Sequence, residues 1–369
     1  MKSLALISLL LCVFLTDCAF QTSLFKALNN EFIKKNLILS PLSAYQILGL
    51  TANGAKGQTL REMLLALGNS DLNEVNAINK QIVNIVQSFS TLEMANAIMT
   101  VNRPKADFLN VAQQYRASVE GLRSLAQVNN WCNLQTHGKI PTILDSLPPN
   151  TVMVLLNALD FKGAWYTKFD PDKTYRTTFN NYGNYNKPKK ISEMTITDDF
   201  NFYYDDDIQM VEMPFLKDSM SALIILPSEK LSINDFVASL TDDKLNGYIK
   251  KLQKKTVQID LPKFELSFNS SLIKALNSLG MKIPFTYNAD FTGLMDKDDL
   301  KIEVVQQKSN LKVEEEGVIA ASATAVVITT RGTYNPYKMI ITRPFLFLLR
   351  NSELPQNYQM VMMAKIEEL

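Results

Sequence analysis

The sequence predicts an α+β fold with several β-sheets, built as one domain. Three observations point there. Helix and strand signals interleave without the regular strand–helix alternation of a doubly wound sheet. Strand signals crowd the C-terminal part of the chain. No repeat, low-complexity tract or Pro/Gly/Ser linker marks a boundary, and 369 residues with 46% hydrophobic content can bury a large core.

The elements follow in order. Lys2 precedes an apolar run from Leu4 to Leu15, broken only by Ser8, the length of a secretory signal and too short to span a bilayer. Thr16 and Cys18 suit a cut after Cys18. Residues 1–18 are therefore expected to be a signal peptide, and 19–369 a single secreted, extracellular domain. Two of the three cysteines fall in the signal, so the mature chain keeps Cys132 and can form no internal disulfide. Ser40-Pro41 supplies a cap and first-turn proline to a helix carrying Leu42, Tyr45, Ile47, Leu48 and Leu50. Thr59-Leu60-Arg61-Glu62 has the spacing of a capping box, and Gly68 stops that helix. A helix with Val128, Trp131, Leu134 and Gln135 runs to near Gly138.

From Thr151 the pattern turns to strands: Thr151–Phe161, Gln209–Met213, Ala222–Leu226 and Val257–Leu261. A helix near Ser271–Leu279 ends on Gly280. Strands follow at Lys301–Val313, Met339–Thr342, Phe345–Leu349 and Tyr358–Ile366. Asn269-Ser270-Ser271 is a glycosylation sequon or, alternatively, a capping cluster for the helix after it.

The function classes narrow by exclusion. A net charge of +1 gives no field for nucleic acid or an anionic membrane. The one histidine, His137, is five residues past Cys132 on the same expected helix, about 140° around it, so the two diverge. No Gly-X-Ser-X-Gly elbow, His-Glu-X-X-His or phosphate loop is present, so neither catalysis nor a metal or cofactor is expected. Asp205-Asp206-Asp207 and Lys187-Pro188-Lys189-Lys190 read as solvated turns.

One segment stands out. Val318 to Thr330 is thirteen residues without charge, ring, Gly or Pro, small in its first half and β-branched in its second. It follows Glu314-Glu315-Glu316-Gly317 and ends at Arg331-Gly332, a bond that a protease would cut.

An ordered set of motifs resembles the serpin family across essentially the whole mature chain. Asn36-Leu37-Ile38-Leu39-Ser40-Pro41-Leu42-Ser43 opens it, and Asn130-Trp131 with Thr136 to Ile140 follows. Leu156-Asn157-Ala158 with Phe161 to Trp165 comes next. Leu261 to Phe264, Ala289 to Gly293 and Arg343 to Phe347 complete the set. The resemblance implies three β-sheets surrounded by eight or nine helices, with an exposed reactive-centre loop. It also implies suicide-substrate inhibition: a protease cuts the loop, becomes acyl-linked, and the freed segment inserts into the main sheet.

Counting fourteen positions on from hinge Gly317 makes Arg331–Gly332 the reactive bond and implies a covalent complex with a trypsin-like serine protease. The hinge then comprises Glu315, Gly317, Val318, Ala320, Ala321, Ser322 and Ala323. The small, uncharged segment argues against a non-inhibitory carrier or chaperone, and inhibition of papain-like cysteine proteases is a further alternative. Ser40, Ser43, Asn157 and Gln307 are expected as a polar cluster under the sheet, Gln307 standing where many members carry His. Asn73–Ser88 holds one cation, Lys80, giving no support for heparin activation. The expected state is a monomer.

Overall fold

The computed structural model describes residues 20–296, 300–318 and 335–369. Among them lie helices α1 (Phe20–Glu31), α2 (Pro41–Ala52), α3 (Gly57–Ala66), α4 (Leu72–Val86), α5 (Ala106–Gln114), α6 (Leu125–Gln135), α7 (Ile233–Ser239), α8 (Asp242–Lys251) and α9 (Ile273–Ser278). The first eight strands are β1 (Leu37–Leu39), β2 (Leu92–Thr100), β3 (Ser118–Gly121), β4 (Met153–Phe161), β5 (Gly163–Ala164), β6 (Tyr175–Phe179), β7 (Lys189–Tyr204) and β8 (Ile208–Pro214). The rest are β9 (Met220–Pro227), β10 (Gln253–Pro262), β11 (Phe264–Ser271), β12 (Val304–Val313), β13 (Gly317–Val318), β14 (Tyr337–Ile340), β15 (Phe345–Asn351) and β16 (Met360–Ile366).

The described strands form sheets of nine, five and two strands. The five-stranded sheet has the order β11-β12-β4-β2-β3, and at its centre β12 and β4 run parallel, from Val304 opposite Val154 to Asn310 opposite Asp160. Every residue of β4 is buried, because the sheet is covered on both sides. Met153, Leu155, Leu159 and Phe161 join the main core with α2, all of whose residues are buried. Val154, Leu156 and Ala158 join a second, smaller core with Val128, Trp131 and Cys132 of α6. The indole and thiol of α6 thus seal the outer face of the sheet.

Local signals set most boundaries. Ser40 caps α2 by accepting from Ser43 N, and Pro41 occupies its first turn. Gly68, Gly138 and Gly280, each with positive φ, stop α3, α6 and α9 as expected. The Thr59–Glu62 capping box does not form. The helix begins two residues earlier, at Gly57. Thr59 Oγ1 instead accepts from Asp290 N at 2.8 Å, and Glu62 Oε2 accepts from Lys282 N at 2.8 Å and Ile283 N at 2.7 Å. Both side chains anchor distant chain. Nor do Cys132 and His137 share a helix: α6 ends at Gln135, and His137 has φ of 50°. Cys132 is buried, whereas His137 is exposed with Nδ1 2.9 Å from Glu93 Oε2.

Asp205-Asp206-Asp207 forms the expected turn, but the Lys187–Lys190 cluster does so only in part, because Lys189 and Lys190 pair with β6 as the first residues of β7. Asp205 Oδ1 accepts from Asp207 N and Ile208 N between β7 and β8, and Lys189 and Lys190 open β7 as exposed residues. No described helix is long and apolar enough to cross a membrane.

The nine-stranded sheet holds a buried acid pair. Tyr175 Oη donates to Glu193 Oε2 at 3.1 Å or Asp260 Oδ2 at 3.0 Å, and Glu193 is fully buried. Burial pushes Glu193 up to about 7; the bond from Tyr175 and the nearby Ile341 main-chain dipole pull the other way, and the Asp260 charge adds to the rise. Between the unfolded value near 4.5 and this one, the folded chain holds the extra proton, so stability falls as pH rises through that window. Glu193→Gln should therefore stabilise by up to ~3 kcal/mol at pH 8 and change little at pH 4.5. Urea unfolding of both proteins at the two pH values checks this; an equal effect at each would contradict it.

Candidate functional site

The site has two parts: the seam between β4 and β12, and the turn that leads out of β12. At the seam, Gln307 of β12 stands opposite Asn157 of β4. Gln307 Nε2 donates to Asn157 Oδ1 at 2.8 Å and to Ser40 O at 3.0 Å, while its Oε1 accepts from Ser40 N at 2.6 Å. Asn157 Nδ2 donates in turn to Asn96 Oδ1 of β2 at 2.6 Å. One amide thus ties two parallel strands to each other and to the start of α2, and the chain of bonds runs on into a third strand.

The expected cluster of Ser40, Ser43, Asn157 and Gln307 is brought together, with one correction. Gln307 engages the main chain of Ser40, not the hydroxyls. Ser40 Oγ donates to Val361 O at 2.7 Å, and the buried Ser43 hydroxyl has no partner. Asn96 was absent from the expected set, since nothing local marks it.

Beyond Val313 the chain makes a tight turn in which Glu314 N donates to Gly317 O at 2.9 Å and Gly317 N donates to Glu314 O at 3.1 Å. It is docked on the segment continuing β4. Trp165 Nε1 donates to Glu314 O and Trp165 N to Glu316 O, both at 3.0 Å. The indole is buried and stacks on Phe215 with centroids 4.5 Å apart. Gly317 has φ of 140°, and a Cβ there would lie 2.1 Å from Gly163 O. Both the conformation and the space demand glycine. A Cβ on Gly163 would in turn strike the rings of Phe161 and Phe215 at 2.6 and 2.7 Å. The two glycines let the backbones touch, and Gly317–Val318 pairs antiparallel with Ala164–Gly163.

Each glutamate of the turn has its own lysine. Lys312 holds Glu314 at 2.9 Å, Lys263 holds Glu315 at 2.6 Å and Lys168 holds Glu316 at 3.4 Å. Glu315 is the buried one, and its other oxygen accepts from Thr174 Oγ1 at 2.7 Å. Burial works to raise its pKa, but the bonds from Lys263 and Thr174 outweigh it and hold the carboxylate below its usual range. Exposed pairs add little; the Glu315 pair, sheltered and doubly bonded, pins the turn.

Of the other expected site residues, Asn269 lies on β11, not on a helix cap. Its Nδ2, the glycan acceptor atom, donates to Ile143 O at 3.0 Å, and its Oδ1 accepts from Gln306 Nε2 at 2.6 Å. Arg331, Gly332, Ala320, Ala321, Ser322 and Ala323 lie outside the described residues, and of Val318 only the backbone is described. Among the described residues no cluster of His, Cys, Asp or Glu could hold a metal.

Comparisons with known proteins agree with this geometry. The profile of the family described as Serpin (serine protease inhibitor) matches residues 16–365. Serine protease inhibitor 42Dd of Drosophila melanogaster is 32% identical over 363 residues, covering 93% of this chain and 96% of the relative. Iripin-2 of Ixodes ricinus is 32% identical, covering 86% of this chain and 85% of the relative. Among solved structures, the thermophilic serpin tengpin in its native state aligns with a TM-score of 0.86 at 28% identity, over 96% of this chain and 93% of its own. Human thyroxine-binding globulin complexed with thyroxine also aligns at 0.86, with 25% identity, over 96% and 98% of the two chains.

Gln307→Leu keeps the volume but strands Ser40 N and one Asn157 oxygen inside the fold. It should cost ~2–3 kcal/mol, seen as a lower urea midpoint with little change in m-value. A midpoint within experimental error of the parent would show that the amide bridge carries no weight.

Proposed function

Because the chain belongs to the serpin family of serine protease inhibitors, we propose that it inhibits trypsin-like serine proteases as a suicide substrate cut after Arg331. A protease serine attacks the Arg331 carbonyl carbon, the Arg331–Gly332 amide bond breaks, and the Gly332 amine leaves with a proton. The product is an ester linking the protease to Arg331. The long cation suits a specificity pocket that ends in a carboxylate. Hydrolysis of that ester then competes with entry of the freed segment into the seam.

The observation that carries this reading is the register of β13 on β5. Gly317 pairs with Ala164 and Val318 with Gly163, so an extension of the same ladder sets residue n opposite residue 481 − n. Continued past Lys162, it lays Ala320 to Ile328 along the whole of β4, from Phe161 to Met153. Residues opposite one another in antiparallel strands share a face. Val318, Ala320, Ser322, Thr324, Val326 and Ile328 would then face the main core, with Thr324 against Asn157 and its amide network. Ala321, Ala323, Ala325 and Val327 would lie beneath α6, where little room is left for larger side chains. The uncharged stretch is longer than the nine-residue β4 and would cover it from end to end. Entry would also replace one parallel ladder by two antiparallel ones, the more stable kind per residue.

The N-terminal signal supports secretion, with a mature chain starting at Ala19. N-terminal sequencing of the protein from its native source should read Ala19 first, and recovery of Met1 would refute this.

Incubation with trypsin should give a complex stable to denaturing electrophoresis, with Gly332 as the new N-terminus of the small fragment. No complex with any trypsin-like enzyme would favour a carrier. Val318→Arg should be cut at the same bond but released as a substrate. Its charge would enter the core at a cost of several kcal/mol, and each ~1.4 kcal/mol added to the insertion barrier slows insertion about tenfold. Inhibition by Val318→Arg at unchanged stoichiometry would remove insertion from the mechanism.

A further inference from the structure

The acid pair of the nine-stranded sheet lies one step from the two residues that hold Glu315. Tyr175 of β6 stands opposite Glu193 of β7, which in turn stands opposite Pro262 of β10. Thr174 precedes Tyr175 and Lys263 follows Pro262, and these two bond the Glu315 carboxylate at 2.7 and 2.6 Å. Lys263 N also donates to Ser192 O at 2.9 Å, tying it to the residue before Glu193. Whatever moves the rung at Glu193 therefore moves both anchors of the turn beyond β12.

The group needs one proton more than the Tyr175 hydroxyl supplies. Tyr175 Oη lies 3.1 Å from Glu193 Oε2 and 3.0 Å from Asp260 Oδ2, yet has a single hydrogen to give. Asp260 is otherwise provided for as an anion, its Oδ1 accepting from Thr195 Oγ1 at 2.5 Å and from Gln258 Nε2 at 3.1 Å. Glu193 is not, since its Oε1 is buried without a partner. Its remaining neighbour is the Ile341 main chain just past β14, and no cation acts on it among the described residues. The extra proton thus belongs on Glu193 Oε2, which donates to Tyr175 Oη while Tyr175 donates to Asp260. Removing it leaves two buried anions competing for one hydroxyl. Burial brings that loss to about pH 7.

We propose that Glu193, Tyr175 and Asp260 form a pH-sensitive latch on the turn beyond β12. With the proton in place, Thr174 and Lys263 are held against Glu315, and the turn stays docked on Trp165. Loss of the proton separates the strands at this rung and lets the turn leave. The latch acts on the turn itself, so it holds whether or not Arg331 is the cleaved residue. Under the inhibition proposed above, it admits the freed segment more readily above neutral pH than below it.

Trp165 Nε1 donates to Glu314 O, so exchange of its indole hydrogen reports the turn leaving. The test follows that exchange by NMR in the full chain, corrected for the intrinsic rate, beside the amides of the buried strand β9. Trp165 should exchange faster than β9 throughout, and its protection should fall at least ~five-fold between about pH 6 and about pH 8. Glu193→Gln should change less than ~two-fold over the same interval, because it has no proton to lose. Glu193→Met, apolar and of similar length, must give the same flat profile and serves if the amide variant fails to fold. A flat parent, an equal fall in either variant, or Trp165 exchange only at the rate of the β9 amides overturns the proposal.

Discussion

The parallel pairing of β4 and β12 governs this molecule. The two strands are brought together from far apart in sequence, and the bridge between them includes one buried amide, Gln307, bonded to Asn157 on one side and to the Ser40 main chain on the other. The β4–β12 ladder is parallel, as is β2–β3 at the edge, while β11–β12 and β2–β4 are antiparallel, and a parallel ladder is slightly less stable per residue. β4 is buried on both faces, between α2 and α6, whereas the outer face of β12 carries the half-exposed Gln306, Lys308, Asn310 and Lys312.

Beyond the ladder and the Gln307 bridge, a further set of contacts is concentrated at one end of the seam. The turn after β12 is fixed by Trp165 through two main-chain bonds, by the Glu315–Lys263–Thr174 group, and by two glycines packed backbone to backbone. These contacts are directional and local, so they hold the turn without filling the seam behind it. They also place Gly317 and Val318 in antiparallel register with the continuation of β4. The first rung of the ladder assumed in the proposed inhibition is thus already formed.

Stability elsewhere does not depend on disulfides. The one described cysteine is buried and free, and the weight falls on apolar packing around α2 and the nine-stranded sheet. Buried polar residues are numerous, and most are bonded in place. Lys365, wholly buried, is bonded to the Phe32 and Ile33 carbonyls, Asn234 and Glu367. Glu193 keeps one oxygen without a partner and carries the raised pKa that follows.

By itself the sequence determined what depends on a few neighbouring residues. The Ser40-Pro41 helix start, the glycine stops at Gly68, Gly138 and Gly280, and the strands around β4, β9, β12 and β16 all rest on caps, positive φ and short apolar runs, which act locally. The ordered motifs were enough to place the chain in its family. Where a local pattern had a distant competitor, it misled: Thr59 and Glu62 have capping-box spacing, yet each bonds chain more than two hundred residues away. Only the tertiary structure decided that Gln307 meets Ser40 through the main chain and reaches Asn96 through Asn157. The same holds for Glu315 meeting Lys263 and for the Gly317–Gly163 contact. Each needs a pairing between segments that are remote in the chain, set by sheet register and helix packing, and no short-range signal encodes a register.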